Sequence, residues 1–177
     1  YVISEIGVNH DGKIEIAKDL IKKSFLAGAD CVKFQLFNPS LLVTKEAKVA
    51  PYQKTKEKQK NNQLQMLEKL SLSYEEIIYL KQFSDEIGID FLVTPFDINS
   101  LSFLESINQK SIKFSSSDLT STPLIRKASS FAETLIISTG MSDLKDIEFS
   151  VQLIESTGFN LSDLVILRCN TAYPTPD

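Results

Sequence analysis

Two lysines stand where lysine is expensive. Lys33 follows Cys31 and Val32 in the apolar run CVKFQ, and Lys113 follows Ile112 in IKFSSSDL. An ammonium inside an apolar segment is costly unless something anionic meets it. Each lysine has hydroxyls within reach of the same chemistry: Ser116 after the second run, and Ser138 in ISTGM at the end of the next one. Two lysines and two serines at one mouth would bind a phosphate or a carboxylate. The competing assignment makes the lysines internal ion pairs with Glu5 and Asp118, and composition does not choose between the two. Those same acids, near the ends of the first and fourth apolar runs, suit water orientation, hydroxyl binding or general acid/base work. The glycine of ISTGM lets the backbone approach a ligand closely. YPTP is a stiff extended segment that can hold Tyr173 over a pocket, since each residue before a proline is pushed out of the helical region. His10, in NHDG, reads as a turn histidine.

The elements that must position these groups are short. Six apolar runs read as strands: residues 2–8, 31–37, 90–96, 111–114, 134–138 and 164–169. They are almost continuously apolar, as strands covered on both faces are. Amphipathic helical stripes lie between most of them: Ile14, Ala17, Leu20, Ile21 and Phe25; Ile77, Leu80, Phe83 and Ile87; Leu144, Ile147, Val151 and Ile154. STPLIRKA places Pro123 near a first helical turn, where its missing N–H costs little. AGAD, IGID and TGFN put Gly28, Gly88 and Gly158 just past a helix and just before a strand, where a left-handed glycine ends the helix. Strand–helix alternation of this kind predicts a parallel α/β fold.

Of the parallel architectures, a doubly wound dinucleotide fold should show GxGxxG after an early strand, and the chain has none. A TIM (β/α)8 barrel gathers chemistry at the C-terminal ends of many strands. Here nearly every run ends in polar or special residues: SEIGVNHDG, VKFQ, VTPFD, KFSSSD, ISTGM and RCNTAYPTP. The expected fold is therefore the barrel, present as its first six strand–helix units, with residues 1–177 forming one partial barrel domain of a longer protein. Residues 38–73 are too long for a simple connection. They read as an exposed, lysine-rich loop leading into a short helix, either a solvated insert or a lid.

Composition narrows the partners. The 177 residues carry a net charge of −4, with 42% hydrophobic and 24% charged residues. This is a globular balance that disfavours nucleic acid and anionic membrane as partners. Cys31 and Cys169 lie far apart in apolar runs and read as core residues of a reducing compartment, the cytoplasm. With one histidine and no CxxC, no metal site can be assembled from His/Cys spacing.

The ordered set EIGVNHDG, AGADCVKFQ, MLEKLSLS, TPFD, IKFSSSD, ISTGM and AYPTPD resembles the sialic acid synthase (N-acetylneuraminate synthase) family along essentially the whole chain. The resemblance implies condensation of phosphoenolpyruvate with an N-acetylmannosamine-type sugar. The product is a sialic, legionaminic or pseudaminic acid for surface polysaccharide, with release of phosphate. It assigns Lys33, Lys113, Ser116 and Ser138 to phosphoenolpyruvate, and Glu5 to the attacking water or the substrate hydroxyl. Gln35 and Tyr173 fall to the sugar, as does Asp118, where many members carry the longer Glu. Some members read HCTN before IYPTP. This chain reads RCNT, with Arg168 in place of a histidine, so either Asn170 or Thr171 makes the phosphate contact. Alternation leaves Ser115 and Ser117 as wall or packing residues.

The resemblance also implies a divalent metal, Mn2+ or Mg2+, that polarises the sugar aldehyde. Its two histidine ligands would lie beyond Asp177, as would a C-terminal antifreeze-like domain. The full-length protein is expected to be a homodimer, and the 177-residue piece alone to be inactive. The segment after Leu41 hints at the legionaminic acid branch. Two other readings stand beside this one: another phosphoenolpyruvate-condensing keto-sugar acid synthase, and a non-catalytic sugar- or phosphate-binding barrel.

Overall fold

The computed structural model describes residues 1–44, 47 and 62–171. Strands and helices alternate as β1 (Ile3–Gly7), α1 (Ile14–Leu26), β2 (Cys31–Leu36), α2 (Pro39–Leu42), α3 (Gln63–Leu70), α4 (Tyr74–Ile87), β3 (Asp90–Pro95), α5 (Ile98–Ser106), β4 (Ser111–Phe114), α6 (Thr122–Ser129), β5 (Thr134–Ser138), α7 (Leu144–Glu155) and β6 (Leu164–Leu167). Strand neighbours follow chain order. The pairings β1–β2, β3–β4, β4–β5 and β5–β6 are all parallel. This is the α/β strand order of the expected barrel class. The chain divides into two compact parts, Tyr1–Leu92 and Val93–Asp177.

In the first part α1 packs against α4. Ala17 and Ile21 on one helix and Ile77 and Leu80 on the other are fully buried. Ile21, Ile77 and Leu80 each contribute about 1.5–3 kcal/mol relative to an exposed side chain. The α1 stripe is narrower than its periodicity predicts, since Phe25 is 43% exposed. At the start of α4 the Ser73 side chain caps the Glu76 N–H, and the Glu76 carboxylate returns to the Ser73 N–H at 2.8 Å. That reciprocal cap satisfies two otherwise orphaned donors. Gly88 closes the helix in the left-handed conformation, φ +86°, as its place in IGID predicts. The short α2 falls within the stretch expected to be a loop; Asn38 caps it through the Ser40 N–H.

In the second part Pro123 falls within the first two positions of α6. Asp143 caps α7 through the Lys145 and Asp146 N–H groups. The predicted α7 stripe is displaced. Leu144, the first helical residue, is 76% exposed, while Ser150, Leu153 and Ile154 are buried. A serine can take that inward place because its hydroxyl donates to the carbonyls of Leu119 (2.6 Å) and Asp146 (2.9 Å). β6 also departs from expectation. Val165 and Ile166 are 43% and 46% exposed, since β6 is last in the strand order and has a single strand neighbour among the described residues.

Candidate active site

The first part holds an acid, a cation and an amide. Glu5 and Lys33 are register partners across β1–β2, and Lys33 Nζ lies 2.6 Å from Glu5 Oε2. The lysine side chain is 6% exposed and the glutamate 51%. Of the two assignments left open for Lys33, the structure therefore shows the ion pair. Its acid is half in solvent and open to a third group. Immediately after Glu5 the register shifts, so that Gly7 rather than Ile6 pairs with Phe34. Gly7 takes φ +57°, a conformation a glycine adopts without strain. A bulge of this kind re-aims the strand end. A side chain at Gly7 would stand 3.2 Å from Glu5 Oε1 and 3.6 Å from Gln35 Nε2. The bare glycine thus leaves the acid and the amide room beside each other.

The second part holds a cation and two hydroxyls. Lys113 Nζ donates to Ser138 Oγ at 2.7 Å, across neighbouring strands. Ser116 Oγ accepts from the Gly140 N–H at 3.0 Å. Each serine oxygen is therefore already an acceptor to a protein N–H. Each hydroxyl proton is left to be donated to something else, and a site that presents donors backed by a cation suits an anion. Gly140 makes this possible by contact. A Cβ there would fall 2.8 Å from Ser116 Oγ and 2.9 Å from Thr171 Cγ2. The glycine of ISTGM is expected to let the backbone approach a ligand; what it approaches in the structure is the side chains of Ser116 and Thr171. Thr171 is thereby placed beside the Ser116–Gly140 contact. Asn170 and Thr171 both line an open cavity of about 560 Å3 with Arg168, Cys169 and Met141.

Ser115 and Ser117 correct the alternation argument. β4 ends at Phe114, and residues Ser116–Asp118 form a 3-10 turn, so the two-residue period no longer applies. Ser115 donates to Asp118 Oδ2 at 2.5 Å and meets Ser117 Oγ at 2.6 Å. Either serine can be the donor of that second contact, and both hydroxyls hydrogen-bond the Asp118 carboxylate. The outer serines together orient Asp118. Burial pushes the Asp118 carboxyl above its ordinary value, and hydrogen bonds from Ser115 and Ser117 pull it back.

Two other polar strand ends are structural. Asp97, closing VTPFD, caps α5 through the Ser100 N–H (2.8 Å) and Ser100 Oγ (2.7 Å). His10 is fully buried, and its Nδ1 accepts from the Gly12 N–H at 3.0 Å. Cys31 is buried and Cys169 partly so, and both are free thiols. Tyr173 lies outside the described residues. Among the described residues no three His, Cys, Asp or Glu side chains cluster to hold a metal, and the nearest acid to a buried cation, Glu5, is engaged with Lys33. These residues do not by themselves fit a divalent ion. No helix among them is long and apolar enough to cross a membrane.

A parallel strand–helix fold with donor clusters at its strand ends defines the class of protein. The particular family follows from comparison: residues 20–177 match the NeuB family model, and the chain belongs to that family. It is 39% identical over 176 residues to the N,N'-diacetyllegionaminic acid synthase of Legionella pneumophila, covering 98% of this chain and 49% of that protein. It is 36% identical to the synthase of the same name from Campylobacter jejuni, covering 99% of this chain and 52% of that one. The crystal structure of an N-acetylneuraminic acid synthetase from Leptospira borgpetersenii in complex with citrate has a TM-score of 0.83 at 25% identity. That likeness covers 100% of this chain and 56% of that one. The chain spans about half the length of the curated relatives it matches.

Proposed function

We propose that the chain carries the phosphoenolpyruvate-binding half of a synthase that condenses phosphoenolpyruvate with an N-acetylmannosamine-type sugar. The product is a nonulosonic acid, sialic, legionaminic or pseudaminic, made in the cytoplasm for surface polysaccharide. The observation that supports this reading most is the donor arrangement of Lys113, Ser138, Ser116 and Gly140. Preorganised donors of this kind hold an anion without reorganisation. In this reading the cluster holds the phosphate or carboxylate of phosphoenolpyruvate, with Asn170 or Thr171 adding a contact. Lys33 supplies a second positive charge.

The enol methylene attacks the sugar aldehyde, forming the carbon–carbon bond and leaving an oxocarbenium centre. Water adds there and gives up a proton, the former aldehyde oxygen takes one up to become a hydroxyl, and the tetrahedral centre collapses to the ketone as its carbon–oxygen bond to phosphate breaks. Glu5, half exposed and fixed by Lys33, orients that water or takes its proton. Asp118, Gln35 and Tyr173 receive the sugar. A divalent metal, Mn2+ or Mg2+, belongs to the same proposal through the family likeness, as does a homodimer of the full-length protein; the described residues do not supply the metal's ligands. The experiment is phosphate release by the full-length protein on a panel of acetamido-mannose sugars against pentose and tetrose phosphates. Turnover with the acetamido sugars is expected. Turnover confined to the short sugar phosphates would replace this reading with that of a shorter keto-sugar acid synthase.

A further inference from the structure

His10 is fully buried, and the anion cluster and the Glu5–Lys33 pair make no use of it. Its surroundings are all in the first part of the chain. Nδ1 accepts from the Gly12 N–H at 3.0 Å. The imidazole therefore carries its proton on Nε2, which is buried and, among the described residues, meets no partner at hydrogen-bonding geometry. Burial holds the ring below the ordinary histidine range; the Gly7 carbonyl, Asp11 and Glu76 act in the opposite direction. The ring packs on Phe34, centroids 5.9 Å apart, and Phe34 stacks on Phe91 at 5.2 Å.

These contacts converge on one feature. Phe34 is the register partner of Gly7, the residue at which β1 bulges immediately after Glu5. His10 thus touches the partner of the bulge and faces its carbonyl. The other end of the loop is held as firmly. Asp11 and Gly12 have φ +50° and +68°, and a Cβ at Gly12 would lie 2.1 Å from the Lys69 carbonyl oxygen. The loop is pressed against the end of α3, and the Gly12 N–H that fixes the imidazole belongs to that pressed residue.

We propose that His10 is a positioning residue for Glu5. As a neutral acceptor it ties Gly12 to the aromatic pair behind the β1 bulge, and so holds the bulge that aims the Glu5 carboxylate. The inference rests on the proposed synthase reading for its kinetic consequence and on geometry alone for its structural one.

The test uses the full-length protein with His10→Asn and His10→Phe. Asn carries an acceptor at the same distance from the backbone as Nδ1; Phe keeps the ring and loses the acceptor. His10→Phe should lower kcat about tenfold or more with KM for phosphoenolpyruvate within about twofold, because a misaimed acid affects the reacting step and not the binding of the anion. His10→Asn should retain kcat within about threefold. Equal losses in both variants, or none in either, would overturn the proposal. Two readouts stand apart from turnover. Nitrogen spectra of the imidazole should show an unprotonated Nδ1 from about pH 5.5 to 8, the range in which a solvated histidine titrates; a protonated Nδ1 there overturns the proposal, whether or not His10→Phe folds. The 13C resonance of the Glu5 carboxylate should move in His10→Phe and stay in His10→Asn. If the wild-type protein shows no synthase turnover, the proposed function fails and these spectra alone decide the positioning role: a Glu5 resonance indifferent to both variants rejects it.

Discussion

Replacing Gly140 with alanine separates binding from stability. The added Cβ would stand 2.8 Å from Ser116 Oγ and 2.9 Å from Thr171 Cγ2, well inside contact distance. Gly140 is not among the glycines with positive φ, so alanine meets no backbone strain and the whole effect is steric. The two atoms it meets are side-chain tips, and Ser116 can rotate away by giving up its bond from the Gly140 N–H. That bond contributes about 0.5–1.5 kcal/mol net, less than most forced overpacking at about 1–3 kcal/mol, so rotation is the expected response. Stability should therefore fall by about 1 kcal/mol, a few degrees in Tm.

The loss to the ligand is larger. A rotated Ser116 no longer presents its proton, and a hydrogen bond to a charged group is worth about 1.5–3 kcal/mol, or about ten- to 150-fold in affinity. Calorimetric titration of phosphoenolpyruvate into the full-length protein, beside thermal unfolding of the same variant, reads both quantities. A Gly140→Ala protein that loses stability and keeps its affinity would show that Ser116 does not donate to the ligand. One that loses neither would show that the Ser116–Gly140 contact is not close.

The remaining predictions concern protons and thiols. Burial, opposed by the Ser115 and Ser117 hydrogen bonds, raises the Asp118 carboxyl above 3.8. An acid raised in the folded state contributes most to stability below its unfolded value and loses that contribution as pH rises through the window between 3.8 and its folded value. Asp118→Asn should remove that fall, seen as a more positive slope of urea midpoint against pH just above 3.8; unchanged slopes would contradict it. Cys31 is buried, with its thiol pushed up to about 11 chiefly by burial. Iodoacetamide at mildly alkaline pH should label Cys169 in the folded protein and leave Cys31 until unfolding. Early labelling of Cys31 would contradict its burial.

How far these features were legible in the sequence depends on whether they are local. β4 and β5 were readable to the residue because each is a short, largely apolar run that meets a serine hydroxyl at its end. Gly28, Gly88 and Gly158 were readable because a left-handed helix stop needs nothing but its own backbone, and all three have φ between +84° and +86°. The roles of Ser115 and Ser117 were not legible, because the two-residue period ends with β4 at Phe114 and a 3-10 turn follows. The 3.0 Å bond from Gly140 to Ser116 spans 24 residues, and no pattern within either motif announces it. Lys33 announced its need of an anion through the cost of burying it, and Glu5 answers that need. The bulge at Gly7 and the burial of His10 were hidden, because NHDG reads as an ordinary turn until the end of α3 is seen pressed against Gly12.

The central claim is that Lys113, with the hydroxyls of Ser138 and Ser116, holds the anion of phosphoenolpyruvate. Equilibrium titration of phosphoenolpyruvate into full-length wild-type protein and into Lys113→Met tests it most directly, since methionine keeps most of the side chain's length and removes its charge. A charged hydrogen bond lost from the ligand should weaken binding by about ten- to 150-fold. Binding by Lys113→Met within about twofold of wild type would contradict the account.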